Sequence, residues 1–70
     1  MGHQLAEGAL TARELEVLGL LARGLRAGAI AAALGLSIAT VRNHIRAILR
    51  KLGCHSQLEA VAEARRRGIV

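Results

Sequence analysis

The stretch AAALGLSIATVRNHI, residues 31–45, decides the fold. Gly35 can adopt the left-handed conformation that ends a helix without a Cβ clash, and Ser37 can accept a hydrogen bond from the free amides that begin the next one. Only a short connection separates the two helices, so they cross steeply. That is the layout of a helix-turn-helix. The second helix shows solvent Ala39, Asn43, Arg46 and Arg50, with Arg42 on its flank.

Start and stop signals extend the pattern outward. Thr11 and Glu14 form a capping box, with Leu10 and Leu15 placed as a hydrophobic staple, and the first helix runs from there to a stop at Gly24. Its expected inner face is Leu15, Leu18, Leu21 and Ala22. A second helix spans about 26–34, with Ile30, Ala31 and Leu34 inward. The third runs from the Ser37 cap to about Leu52, before Gly53. Its apolar residues Ile38, Val41, Ile45, Ile48, Leu49 and Leu52 fall within a stripe of about 100° at 3.6 residues per turn. A fourth helix opens with Ser56 and Glu59 as a second capping box and stops near Gly68. Leu58, Val61 and Ala62 are its expected inner face, and Ala60 and Ala64 form a small-residue stripe on another side. No period-two alternation suggests a strand. The expected class is all-α, a four-helix (tetrahelical) helix-turn-helix domain.

Seventy residues make one domain, and a chain of that size buries only roughly 60% of the surface that its unfolded form exposes. Residues 1–9 are expected to be a flexible N-terminal segment and 10–70 the folded domain. No apolar run approaches the ~18 residues needed to cross a bilayer, and no secretion signal opens the chain, so a cytoplasmic location without membrane contact is expected. Cys54 is the one cysteine, which excludes an internal disulfide. Cys54, His55 and His44 or His3 lack the paired spacing of zinc ligands, so no metal and no cofactor is expected. There is no Phe, Tyr or Trp on which a single strand could stack its bases, which favours a duplex partner. Catalysis has no foothold, because the chain offers no carboxylate pair, activated nucleophile or phosphate-cradling glycine loop.

The net charge of +5 is unevenly placed. Through Gly35, Arg13, Arg23 and Arg26 balance Glu7, Glu14 and Glu16. From Leu36 onward six arginines and one lysine face only Glu59 and Glu63. The excess begins where the third helix begins, as expected for a polyanion partner. An α-helix fits the major groove of B-DNA, and its N-terminal half faces base edges. Arg42, Asn43 and Arg46 occupy that half. Arginine can bond guanine O6 and N7 together and asparagine can bond adenine N6 and N7, so these three are the candidate base-facing residues. Thr40, His44, Arg50 and Lys51 sit where phosphates flank the groove and are the candidate backbone contacts. Arg65, Arg66 and Arg67 are expected to complement the negative end of the fourth helix or to aid solubility.

These blocks resemble the LuxR-type helix-turn-helix domain of bacterial transcriptional regulators. LTARELEVLGLLARG is similar to the family's first helix, IAAALGLSIATVRNHI to its scaffold and recognition helices, and LEAVAEARRRG to its fourth. The resemblance implies that the third helix enters the major groove and that the fourth forms a homodimer contact. Arg42, Asn43 and Arg46 match the family's base-facing positions, Thr40 and His44 its TVxxH pattern near the DNA backbone, and Ala60, Val61 and Ala64 its dimer interface. The chain departs from the family at Arg26, Ala27, Gly28 and Ala29, where a polar Asn-Lys-Glu-like stretch is common, at Cys54, where an aliphatic residue is common, and at Gln57, where arginine is frequent. As family members usually carry a receiver or sensing domain, the resemblance implies either an excised effector or a stand-alone regulator. Implied partners are double-stranded DNA, a second copy and RNA polymerase. Two alternatives remain from sequence: the promoter-reading domain of a sigma factor, and a helical protein-interaction module docking through Ala60 and Ala64.

Overall fold

The computed structural model describes residues 9–70; the N-terminal segment through residue 8, with His3, lies outside the described residues. Four helices follow in order: α1 Ala12–Ala22, α2 Ala27–Leu34, α3 Ile38–Leu52 and α4 Gln57–Arg66. No strand occurs among the described residues, and none of these helices is long and apolar enough to cross a membrane.

Local signals set each helix. Around α1 the reciprocal capping box forms, with the Glu14 amide donating to Thr11 Oγ1 at 3.1 Å and the Thr11 amide donating to Glu14 Oε1 at 2.9 Å. α2 has no side-chain cap at Arg26 and ends at Gly35, whose φ of 69° is left-handed. The Leu36 amide closes that turn on the Ala31 carbonyl at 2.9 Å, as in a Schellman ending. Ser37 Oγ then accepts the Thr40 amide at 3.0 Å to start α3. At α4 the Ser56 hydroxyl caps the Glu59 amide at 3.1 Å, but the Glu59 carboxylate takes the His55 amide, one residue earlier than a strict box requires.

α3 is the hub and packs against all three other helices. Val41, Ile45, Ile48 and Leu52 point inward from it, against Val17, Leu18 and Leu21 of α1, Ile30 and Ala31 of α2, and Ala60 and Ala64 of α4. Three sequence expectations change here. On α1 the inner arc is Glu14, Val17, Leu18 and Leu21, which leaves Leu15 about 110° from its centre at 100° per residue and 43% exposed. Ile38, on the first turn of α3, is also exposed. On α4 the faces are exchanged: Ala60 and Ala64 are 0% exposed, whereas Leu58 is 81% exposed and Ala62 also faces solvent. Alanines let the α4 backbone approach closely, and that packing leaves the bulkier leucine no room inside. Ala60 and Ala64 therefore cannot form the dimer interface, nor the face of a docking module, because they are already in this chain's own core. Val61, half-buried, stays at the surface of α4.

A fourth change concerns Lys51. Its ammonium donates to Glu14 Oε1 at 2.8 Å, with both side chains largely buried. Burial pushes the Glu14 carboxyl up, but the hydrogen bonds from Lys51 and the Thr11 amide, with the nearby charges of Lys51 and His44, hold it below its ordinary value. Removing one partner strands a charge in a poorly solvated site. Lys51→Ala is expected to cost about 3 kcal/mol in urea unfolding, a large share of the roughly 4–10 kcal/mol available to a chain this long. Glu14→Gln keeps an acceptor for the Thr11 amide and loses only the charge. Its deficit against wild type should be complete above the ordinary carboxylate value near 4.5 and vanish as pH falls through the lower value in the folded protein. A pH-independent deficit would remove the ion pair from the account.

Candidate nucleic-acid interface

The apolar stripe of α3 is clamped by three helices, so its opposite side has a fixed orientation. Ala39, Arg42, Asn43, Arg46 and Arg50 are exposed there, and the structure brings the three base-facing candidates together on one surface. Arg46 Nη1 donates to Asn43 Oδ1 at 2.8 Å. Arg42, Ile45, Arg46 and Leu49 line a shallow groove of about 250 Å³ that Gln57 closes from α4. Ser37 Oγ donates to Thr40 Oγ1 at 2.9 Å. The Thr40 hydroxyl thus accepts from within the chain and keeps its own proton to offer outward.

The four phosphate-contact candidates divide. Thr40 is half-buried at the start of α3 and Arg50 is exposed; neither Arg50 nor Arg42 makes an ion pair among the described residues. His44 is half-buried on the side of α3 that faces Glu14. Lys51 is removed from the set, since its ammonium is committed to Glu14. A pairing across 37 residues leaves no trace in local spacing. The helical wheel alone puts Lys51 on the border of the exposed face, and only the position of α1 decides what it meets.

The arginines of α4 are also engaged within the chain. Arg65 Nη2 donates to the Ala22 carbonyl at the end of α1 at 2.9 Å, and Arg67 reaches the Leu52 carbonyl at the end of α3 at 3.5 Å. Both place positive charge at the negative end of a helix. Arg66 and Arg67 also pair with Glu63, and their hydrogen bonds, Arg66 first, pull its carboxyl down to about 2. The expected place was the end of the fourth helix; Arg65 and Arg67 instead bond to the carbonyl ends of α1 and α3. Lys51 is thus paired with Glu14, and Arg66 and Arg67 share the single carboxylate of Glu63, whereas Arg42, Arg46, Arg50 and Arg65 make no ion pair among the described residues. Among the described residues no three His, Cys, Asp or Glu side chains cluster as a metal site. Burial, with Glu59 and Glu63 nearby, pushes the Cys54 thiol up, away from nucleophilic reactivity.

A family model described as "Bacterial regulatory proteins, luxR family" matches residues 8–64. The transcriptional regulatory protein YdfI of Bacillus subtilis (strain 168) is 43% identical over 70 residues, covering 100% of this chain and 33% of that protein. The solved transcription factor GerE superposes with a TM-score of 0.80 at 40% identity, covering 86% of this chain and 90% of that one. The response regulator ChrA, from a heme-sensing two-component system, superposes at 0.85 with 40% identity, over 89% of this chain and 31% of its own. The chain spans between 21% and 33% of the length of the first two curated relatives.

Arg50 and Arg65 are both exposed, but only Arg65 is bonded to another helix. Arg65→Ala should lower thermal stability by about 1 kcal/mol, as for a lost charge-assisted bond to a helix end. Arg50→Ala, which breaks no bond within the chain, should leave the melting temperature unchanged. Equal melting of the two variants would show that the Arg65 bond to the end of α1 contributes nothing to stability.

Proposed function

The chain belongs to the luxR family of bacterial regulatory proteins, transcription regulators rather than enzymes, and on that premise we propose that it is their DNA-reading domain, placing α3 in the major groove of a specific duplex. One observation carries the reading: Arg42, Asn43 and Arg46 stand exposed within the first nine residues of a 15-residue helix whose other side is locked into the core. Arg42, Asn43 and Arg46 meet base edges, while Thr40 and Arg50, with His44 at the margin, meet phosphates. The relatives' names, transcriptional regulatory protein and transcription factor, support regulation of transcription, with RNA polymerase as the further partner and the cytoplasm as the place. The family match favours this over the sigma-factor alternative.

A second copy completes the reader. Leu58 stands almost fully out of α4, beside Val61 and a groove of about 480 Å³ shared with Leu25 and Arg26 after α1. An isolated large apolar side chain is ordinary, but Leu58 and Val61 lie on the open side of the helix that the family resemblance assigns to dimerisation. A two-fold partner covers them, and the paired α3 helices then meet half-sites about one helical turn apart.

Binding-site selection from random duplexes, followed by titration over a range of salt, tests the reading. Log affinity should fall linearly with log salt by about 0.9 per phosphate neutralised. Arg50→Ala should lower that slope by about one unit and weaken all sequences alike, whereas Arg46→Ala should cost about 1–3 kcal/mol on the selected site and little on random DNA. Equal losses on both DNAs would refute base reading by α3. In sedimentation, Leu58→Glu should be monomeric and folded, with affinity for a paired site reduced to that for a single half-site; an unchanged dimer would refute the α4 interface.

A further inference from the structure

Asn43 and Arg46 lie one turn apart on α3, both exposed, and are joined by the 2.8 Å bond from Nη1 to Oδ1. A guanidinium only donates, so the carboxamide must turn its oxygen to Arg46. Nothing in the core depends on this bond, since neither residue belongs to the buried cluster. We propose that Asn43 is a positioning residue for Arg46, and that the pair reads one guanine as a unit instead of two bases independently. The inference rests on α3 entering the major groove, as proposed above.

An arginine side chain carries about 2 kcal/mol of rotamer freedom, and whatever is fixed before binding is not lost during binding. Asn43 fixes the far end, and Arg46 lines the groove with Arg42, Ile45, Leu49 and Gln57. One Nη1 proton is committed, and Nε with Nη2 still offers a two-donor edge matching guanine O6 and N7. The effect on Asn43 is the reverse. Its specificity for adenine requires the amide oxygen to accept from the N6 amino group, and that contact now competes with Arg46. The remaining Nδ2 protons suit any acceptor in the groove and discriminate weakly.

The test begins from the selected duplex and the base pair at which Arg46→Ala loses its preference. Affinities are then measured by fluorescence anisotropy with guanine, adenine or 7-deazaguanine at that position. Asn43→Ala, which raises helix propensity and leaves the fold intact, should cut the guanine-over-adenine preference there by about tenfold. Asn43→Asp should restore most of it, because a carboxylate oxygen still accepts from Nη1. In the Arg46→Ala background, Asn43→Ala should change nothing further at that pair. The 7-deaza substitution should penalise wild type more than Asn43→Ala. If Asn43→Ala leaves the preference at Arg46's base pair intact and removes an adenine preference at a neighbouring pair, the two residues read independently and the proposal fails. If Arg46→Ala alters no preference anywhere, base reading by this face fails and the coupling falls with it.

Discussion

Glu14 Oε1 accepts both the Thr11 amide and the Lys51 ammonium, so the atom that starts α1 also anchors the last turn of α3. A local cap and a contact across the domain are thereby made one object. Carboxylates are almost never this deeply buried without partners, and here every demand is met: no buried side-chain polar atom among the described residues lacks a hydrogen bond. Burial opposes ionisation and the two donors enforce it, with the donors prevailing. The ion pair adds direction to a core that otherwise consists of aliphatic side chains and alanine. Aliphatic surfaces tolerate sliding, whereas a charge in a poorly solvated site has one place to be.

The direction matters because α3 serves as the centre of the core and as the outward face. A helix of 15 residues is about 22 Å long at 1.5 Å per residue. Its first turn is held by the Gly35 and Ser37 ending and cap, its last turn by Lys51 on Glu14 and by Arg67 on the Leu52 carbonyl. Arg42, Asn43 and Arg46 lie between these restraints. Side chains that probe base pairs must be held to a fraction of a base-pair step, and a helix fixed at both ends supplies that without help from its exposed residues.

What the sequence makes legible is whatever lies within a few residues along the chain. The Thr11 and Glu14 box, the Gly35 ending, the Ser37 cap and the extent of α3 follow from separations of three to five residues, where side chain and backbone meet whatever the rest of the fold does. The exposed trio on α3 is legible for the same reason, since its opposite stripe is unmistakably apolar. The inner face of α4 is not. Leu58 is the most hydrophobic residue there and Ala60 and Ala64 among the smallest, but a helix seated closely on α3 selects by size, and the leucine is turned out. Lys51 and Arg65 are illegible for a second reason, because their partners are 37 and 43 residues away.

Those long-range pairings change the meaning of the charge itself. The excess of basic residues after Leu36 reads as one surface feature, yet four of the seven cations are turned to internal uses, on Glu14, on Glu63 and on the carbonyl ends of α1 and α3. A small domain has little apolar surface with which to hold four helices, and arginine offers stem packing with a donor fork for helix ends. Basicity in such a chain therefore serves two purposes that composition cannot separate. The residues that close helices are fixed by their internal partners, and those left over on α3 are the ones a phosphate backbone or a base edge can claim. Net charge alone does not show which cations have a carboxylate partner inside the chain, and on the exposed side of α3 Arg42, Arg46 and Arg50 have none among the described residues.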